Sequence, residues 1–289
     1  MTPELKRDPI IVYGAPRSGT TYLQQLLSSH PEVFVSDETR VFAWLFHALA
    51  LSGDDRLMLN HRESITERLR ASLPELVRDI YRDLAPGVRY WGDKNPHYAD
   101  PYNNGCLEMI LELFPASMFI HIIRDGRDVV SSLMRKSNED KPWVDFKTAH
   151  FTWSSHLRRG LEFGRSLPTD QYFELRYERL VDDDVTVAKE MFSFLGLRFD
   201  PEVEEFCQAQ REKRTPFKDP TRDLGKGVAA SDWANVFSLE EQLRSLNLLG
   251  PQLVQHGYET AASLEHLGET IAERLAQGKV DASLKAADA

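Results

Sequence analysis

Cysteine is nearly absent from the chain. Two residues in 289, Cys106 and Cys207, give no disulfide framework and no paired metal-ligand spacing. Both thiols are expected to be reduced and partly buried, and no metal site is expected. Long apolar runs are also missing. Nothing approaches the ~18 residues of a membrane span, and the opening "MTPELKRDPI" has no apolar segment of a secretory leader. A cytoplasmic protein without a membrane span is the expectation. Basic excess is lacking too: the net charge is −10, which speaks against a nucleic-acid partner, since that needs a broad basic face. A small anionic ligand remains compatible, because a few cations in a cleft can hold one against an acidic background. No repeat, low-complexity block or linker-like composition interrupts the chain. One main domain over 1–262 is expected, with a tail over 263–289 that frays or packs peripherally.

What is present is an alternation of apolar strand-like runs and helical patterns. "PIIVYG", "EVFVS", "VRYWG", "ASMFIHII" and "QYFELRYE" read as strands. Helices are expected over 18–29, in "ETRVFAWLFHALAL", in "ESITERLRASLPELVRDIYRDL" with an interruption at Pro74, and in "NGCLEMILELF", "DVVSSLMRK", "FKTAHFTWSSHLRRGLEFGRSL" and "VAKEMFSFLGL". The second of these is apolar on most sides and should be well buried. Such alternation implies an α/β fold, a P-loop-like parallel sheet with helices on both faces. Ligands of such sheets bind beyond the carboxyl ends of the strands.

One further absence is the most informative. Gly14 and Gly19 in "GAPRSGTT" have the G-x-x-x-x-G spacing of a P-loop at a strand-to-helix junction. There, backbone N–H groups and the helix N-terminus favour an anion. Ser18, Thr20 and Thr21 add hydroxyl donors. The lysine that ATP- and GTP-binding loops carry after the second glycine is missing; Thr20 and Thr21 stand in the Lys-Ser/Thr positions, and Arg17 brings the cation instead. This argues against β/γ-phosphate chemistry, while Arg17 can still deliver a cation at the loop tip to a group leaving or entering the phosphate. A second anion site is suggested by Arg124 leaving a strand, with Ser132 eight residues on in the next helix.

Together these segments resemble the sulfotransferases that use 3′-phosphoadenosine-5′-phosphosulfate (PAPS) and release PAP. The resemblance implies the sulfotransferase fold, with "PRSGTT" holding the 5′-phosphosulfate and Arg124 and Ser132 the 3′-phosphate. "LRYERLVDD" puts Tyr177 where a family tyrosine approaches the nucleotide. "GKGVAASDW" is similar to the family's C-terminal loop and makes Lys226, Gly227 and Trp233 nucleotide-binding candidates. The nearest pattern is that of tyrosylprotein sulfotransferases, in which a Glu-Thr-Arg segment follows the loop arginine by 21 residues. Glu38 stands at that distance from Arg17. It is thereby the implied catalytic base, with Lys94 of "DKNP" also taking part. That group carries a second arginine, four residues beyond Glu-Thr-Arg, for acidic peptides. Here the position holds Trp44.

The implied reaction is in-line sulfuryl transfer to a hydroxyl of a small molecule, a sugar or a tyrosine-containing peptide. Glu38 would take the proton, and Arg17 and Lys94 would stabilise charge. Asp93 and His97 flank Lys94 and are rival bases; Glu38 could also be an acid stabilised by a helix N-terminus. An ATP-dependent P-loop phosphotransferase and a non-catalytic PAP-binding regulator are the alternative functions. The acceptor is expected against residues 43–90 and 136–146. His121 reads as a core histidine, the run Asp182 to Asp184 as a solvated turn and helix start, and Trp44, Phe46, Trp91, Trp143 and Trp153 as core. Oligomeric state is open, a homodimer included.

Overall fold

The computed structural model describes residues 8–52, 61–138, 144–213 and 233–287. In chain order the elements are β1 (Ile10–Tyr13), α1 (Thr20–Ser28), β2 (Val33–Asp37), α2 (Val41–Ser52), α3 (Arg62–Leu84) and β3 (Tyr90–Lys94). Two 3-10 turns, Pro96–Ala99 and Pro101–Asn103, lead to α4 (Cys106–Leu113), β4 (Met118–Ile123), α5 (Gly126–Asn138) and α6 (Phe146–Arg165). Then come β5 (Tyr172–Arg176), α7 (Tyr177–Asp182), α8 (Asp184–Phe194), α9 (Pro201–Lys213), α10 (Trp233–Val236), α11 (Leu239–Gln255) and α12 (Ala261–Ala287). The chain divides into two compact units, Met1–Ile123 with Ser155–Gly227, and Arg124–Ser154 with Val228–Ala289.

The first unit holds a five-stranded sheet in the order β2-β3-β1-β4-β5, and every pairing is parallel. Successive residues of β1 enter opposite cores, as the period of two requires. Ile10 and Val12 pack with Leu23, Leu26 and Leu27 of α1 and with Val187 and Met191 of α8. Ile11 and Tyr13 pack with Phe42, Val77, Tyr81, Trp91 and Ile110, on the side of α2, α3 and α4. Helices on both faces are therefore observed, as the alternating pattern predicts. His121 is a core residue, stacked on Tyr13 with ring centroids 4.6 Å apart. Both cysteines are free and buried, and burial pushes the Cys106 thiol up to about 12.

Several local expectations need correction. The helix expected from Glu38 starts only at Val41, because Glu38 and Arg40 have left-handed backbones with φ of 52° and 60°. That helix is apolar on most sides but not well buried, and Trp44 is not a core residue: Phe42 and Leu49 face the core, while Trp44 is 67% and Leu51 59% exposed. Pro74 lies inside an uninterrupted α3. It removes one backbone hydrogen bond, but Leu73, Val77 and Tyr81 on either side are anchored in the core. In the acidic run, Asp183 does cap α8 by accepting from Thr186 N at 3.1 Å. Asp184, however, is fully buried and accepts from Tyr22 Oη at 3.0 Å and from Arg211 Nε at 2.8 Å.

In the second unit, Arg127 is buried and held by Asp125 and Glu259. Its guanidinium lies 4.9 Å from the centre of the Trp233 ring. Asp128 accepts from Trp233 N at 3.2 Å. α12 lies along α11, with Leu264 packed against Gly250 and Ile271 buried.

A buried carboxylate positions the segment between β2 and α2. Asp93 of β3 accepts through Oδ1 from Ser36 Oγ (2.6 Å), Thr39 Oγ1 (2.8 Å) and Thr39 N (3.2 Å). Its Oδ2 accepts from Tyr98 Oη at 2.5 Å. Burial raises the Asp93 carboxyl above its ordinary range, and the bonds from Ser36, Tyr98 and Thr39 only partly oppose this. The raised value favours the protonated form on folding. This contribution is full below the ordinary carboxylate range and is lost as pH rises through the folded value. Asp93→Ala should therefore remove the shared acceptor of Thr39, Tyr98 and Ser36 and cost ~2–4 kcal/mol. Asp93→Asn, which keeps an acceptor for Thr39, should cost less and should flatten the pH dependence of stability. Urea denaturation across mildly acidic to neutral pH checks both, and an unchanged slope in the Asn variant would contradict the assignment.

Candidate active site

The loop between β1 and α1 is shaped by close approach. A Cβ on Gly14 would stand 2.3 Å from the Ile122 carbonyl oxygen, so only glycine fits beside β4. Gly19 has φ of 94° and is the N-cap of α1, with no side-chain cap. A Cβ there would lie 2.4 Å from Cδ2 of Tyr177. The first N–H groups of α1 are thus left for another acceptor. Arg17, at the tip, is exposed and has a left-handed backbone with φ of 74°. Thr20 is buried and Thr21 half-buried. Ser18 Oγ is buried with no hydrogen-bond partner. A buried hydroxyl without a partner beside an uncapped helix end fits an anion with several acceptor oxygens.

The register of the sheet carries the reacting groups to this loop. Lys94 pairs with Val12 on one side and Asp37 on the other. Asn95 N donates to Val12 O at 3.0 Å, and Glu38 N donates to Lys94 O at 2.8 Å. The ends of β1, β2 and β3 are therefore tied together one residue apart. The Lys94 side chain is only 1% exposed. Its Nζ contacts Asp37, lies 2.8 Å from Glu38 Oε1 and donates to Thr21 Oγ1 at 3.3 Å. Glu38 is 40% exposed, so its carboxylate has one side on the buried ammonium and another open to solvent.

The structure thus brings together Gly14, Arg17, Ser18, Gly19, Thr20, Thr21, Glu38, Lys94 and Tyr177 within the first unit. Arg124, Ser132 and Trp233 belong to the second. There Arg124 is half-buried and its carbonyl accepts from Trp153 Nε1 at 3.0 Å. Ser132 lies on α5, and Trp233 is the buried ring over Arg127. Lys226, Gly227 and Trp143 lie outside the described residues. Of the rival bases, Asp93 is fully buried with both oxygens occupied by donors. His97 is partly exposed and faces Asp100.

Sequence reading missed Asp37, which shares Lys94 with Glu38, and the role of Asp93 behind Thr39. Both follow from the pairing of β2 with β3, Ser36 opposite Asp93 and Asp37 opposite Lys94. Adjacency of Asp37 to Glu38 was the one visible signal.

Comparison with known proteins gives a consistent family. The model of the sulfotransferase family matches residues 9–201. Protein-tyrosine sulfotransferase 1 of Danio rerio is 24% identical over 278 residues, covering 90% of this chain and 74% of the relative. Protein-tyrosine sulfotransferase 2 of Gallus gallus is 29% identical over 203 residues, 67% of this chain and 52% of the relative. An uncharacterised protein of Aquifex aeolicus is 26% identical over 264 residues; the match covers 87% of this chain but only 33% of that protein. Among solved structures, the sulfotransferase domain from the curacin biosynthetic pathway aligns with a TM-score of 0.53 at 20% identity, covering 93% of this chain and 98% of the domain. The mouse sulfotransferase SULT7A1, solved with PAP, aligns with the same TM-score of 0.53 at 14% identity, covering 95% of this chain and 91% of its own. These two likenesses concern the fold. With the family match spanning more than half of its length, the chain belongs to the sulfotransferase family.

Proposed function

We propose that this sulfotransferase moves the sulfuryl group of PAPS to a phenolic hydroxyl, with Glu38 as general base. The observation that carries this reading is the Lys94–Glu38–Thr21 contact at the edge of the cradle. It joins a solvent-facing carboxylate, a buried cation and the anion loop within one group of side chains. PAPS, when bound, supplies the sulfuryl group, and PAP leaves. The backbone of 14–21 with Arg17, Ser18, Thr20 and Thr21 would hold the 5′ end. Tyr177 lies against the loop at Gly19. Arg124 and Ser132 are the candidates for the 3′-phosphate, and Lys226, Gly227 and Trp233 for the closing loop.

The acceptor oxygen gains a bond to sulfur, its proton passes to the Glu38 carboxylate, and the bond to the 5′-phosphate oxygen breaks. Glu38 is held for this by Lys94 on one side and by the Thr39–Asp93 bonds behind it. Lys94 and Arg17 supply fixed positive charge where oxygen charge develops, without reorganisation. A phenol, with a pKa of about 10, asks less of a carboxylate base than an alkanol does. The named relatives that act on protein tyrosine support a phenolic acceptor. The exposed indole of Trp44, where an acidic-peptide enzyme would carry a cation, favours an uncharged aromatic acceptor over an acidic peptide.

Three measurements bear on this reading. Glu38→Gln should lower kcat by ~10²-fold or more and leave PAP affinity nearly unchanged; near-normal turnover would remove Glu38 from the base role. Trp44→Ala should raise KM for a neutral phenol by ~5–10-fold with little change in PAP binding. A preference of the parent enzyme for acidic tyrosine peptides over neutral phenols would reverse the acceptor assignment. Arg124→Ala should weaken PAP binding by ~10–100-fold, read by calorimetry; unaltered affinity would detach Arg124 from the 3′-phosphate.

A further inference from the structure

A second group of side chains in the first unit has no part in the reaction above. His97 lies in the 3-10 turn just after β3, Asp100 stands between that turn and the next, and His156 comes from α6. His97 Nδ1 is 3.4 Å from Asp100 Oδ2, and His156 Nε2 is 3.7 Å from the same oxygen. All three ligand atoms lie within 4.8 Å of one another. A tetrahedral centre with bonds of ~2.0–2.1 Å has ligand edges of about 3.3–3.4 Å. Two of the three edges are therefore nearly correct already, and the third needs a small rotation of the partly exposed His97 ring.

The local turns are held by other atoms. Asn95 Oδ1 accepts from His97 N at 3.0 Å, and Asn103 Nδ2 donates to His97 O at 2.9 Å. Asp100 Oδ1 accepts from Tyr102 N at 2.9 Å. These bonds fix the backbone and use one carboxylate oxygen, so Oδ2 is the oxygen turned toward both imidazoles. His156 is 1% exposed and forms the floor; His97 and Asp100 are only half-buried, which leaves an approach from solvent. Two imidazoles and one carboxylate suit a borderline cation. They suit Mg²⁺ and Ca²⁺ poorly, since those cations demand all-oxygen sets.

We propose that His97, Asp100 and His156 form a zinc site, with water at the fourth position. The metal joins the turn that follows Lys94 to α6, so it braces the carboxyl end of β3 without touching the reacting groups. Because it binds the folded chain through residues far apart in sequence, it stabilises the native state by mass action.

The test uses the full chain, stripped with chelator, and Zn²⁺ alone. Calorimetry and elemental analysis after dialysis should give about one equivalent. Tm should rise by at least ~2 °C with excess Zn²⁺ and not with Mg²⁺. His97→Gln and Asp100→Asn, both conservative and at partly exposed positions, should each weaken Zn²⁺ binding at least ~100-fold and abolish the Tm rise. No bound equivalent, or an equivalent held as tightly by both variants as by the parent chain, overturns the site. A stoichiometric equivalent without a rise in Tm overturns the bracing role.

Discussion

The site depends on one buried ammonium. Taking a lysine out of water costs several kcal/mol unless opposite charge and acceptors replace the lost hydration. Lys94 meets that condition with Asp37, Glu38 and Thr21. The arrangement constrains everything around it. Asp37 and Glu38 are consecutive, and in an extended strand consecutive side chains point to opposite faces. Both can face one ammonium only if the backbone turns sharply at that point, and Glu38 has the left-handed φ of 52° that the turn requires. Such a backbone at a non-glycine residue costs on the order of 1–3 kcal/mol and survives only when surrounding bonds over-determine it. Those bonds are Glu38 N to Lys94 O and the bonds from Thr39 to Asp93. Buried cation, strained turn and buried carboxylate are one interdependent unit.

The missing lysine of the loop acquires a physical account from the same contact. An ordinary P-loop brings its ammonium from the first turn of the helix. Here the ammonium arrives from β3 and ends 3.3 Å from Thr21 Oγ1 on that first turn. Parallel pairing of β1 with β3 makes this route available, because Lys94 ends level with Val12. Arg17 then supplies a second, solvent-exposed cation at the loop tip. The loop keeps a cation at its helix end while the chain reads as lacking one, and the protein keeps its acidic balance elsewhere.

The strands were legible because β-branched apolar runs such as "IIVY" and "MFIHII" have few other stable destinations, and their alternation with helices left a parallel sheet as the economical arrangement. The cradle was legible from its glycines, and the structure adds why they are needed: Ile122 O and the Tyr177 ring leave no room for a Cβ. Misreadings arose where tertiary contacts overrode local pattern. "ETRVFAWL" looks helical throughout, yet Glu38 is recruited by Lys94 and Thr39 by Asp93, Arg40 has a left-handed backbone, and helix starts at Val41. Pro74 looks like a break, yet core anchoring on both sides carries α3 through it. Asp93, Asp184 and Asp37 could not be told apart from solvated acids, since a carboxylate's role depends on which donors the fold delivers. Strand order, which delivers them, is not written in any one segment.

The asymmetry of the site bears on how two substrates could share it. Lys94 is almost wholly enclosed, whereas Glu38 has an open side. On the proposed reading, the acceptor must bring its proton to the open side of Glu38, and the donor's departing oxygen must lie toward the enclosed cations and the start of α1. The two substrates then approach from opposite sides of one carboxylate. An acceptor arriving from the solvent side would meet the segment between β2 and α2 first, and with it the exposed face of α2 that carries Trp44. On the same reading, changes on that face would retune the acceptor without disturbing Lys94, because Lys94 is fixed by the sheet and not by α2. On that reading, donor chemistry belongs to the strand ends and acceptor choice to a helix surface, a division that would follow from where this chain buries its charge.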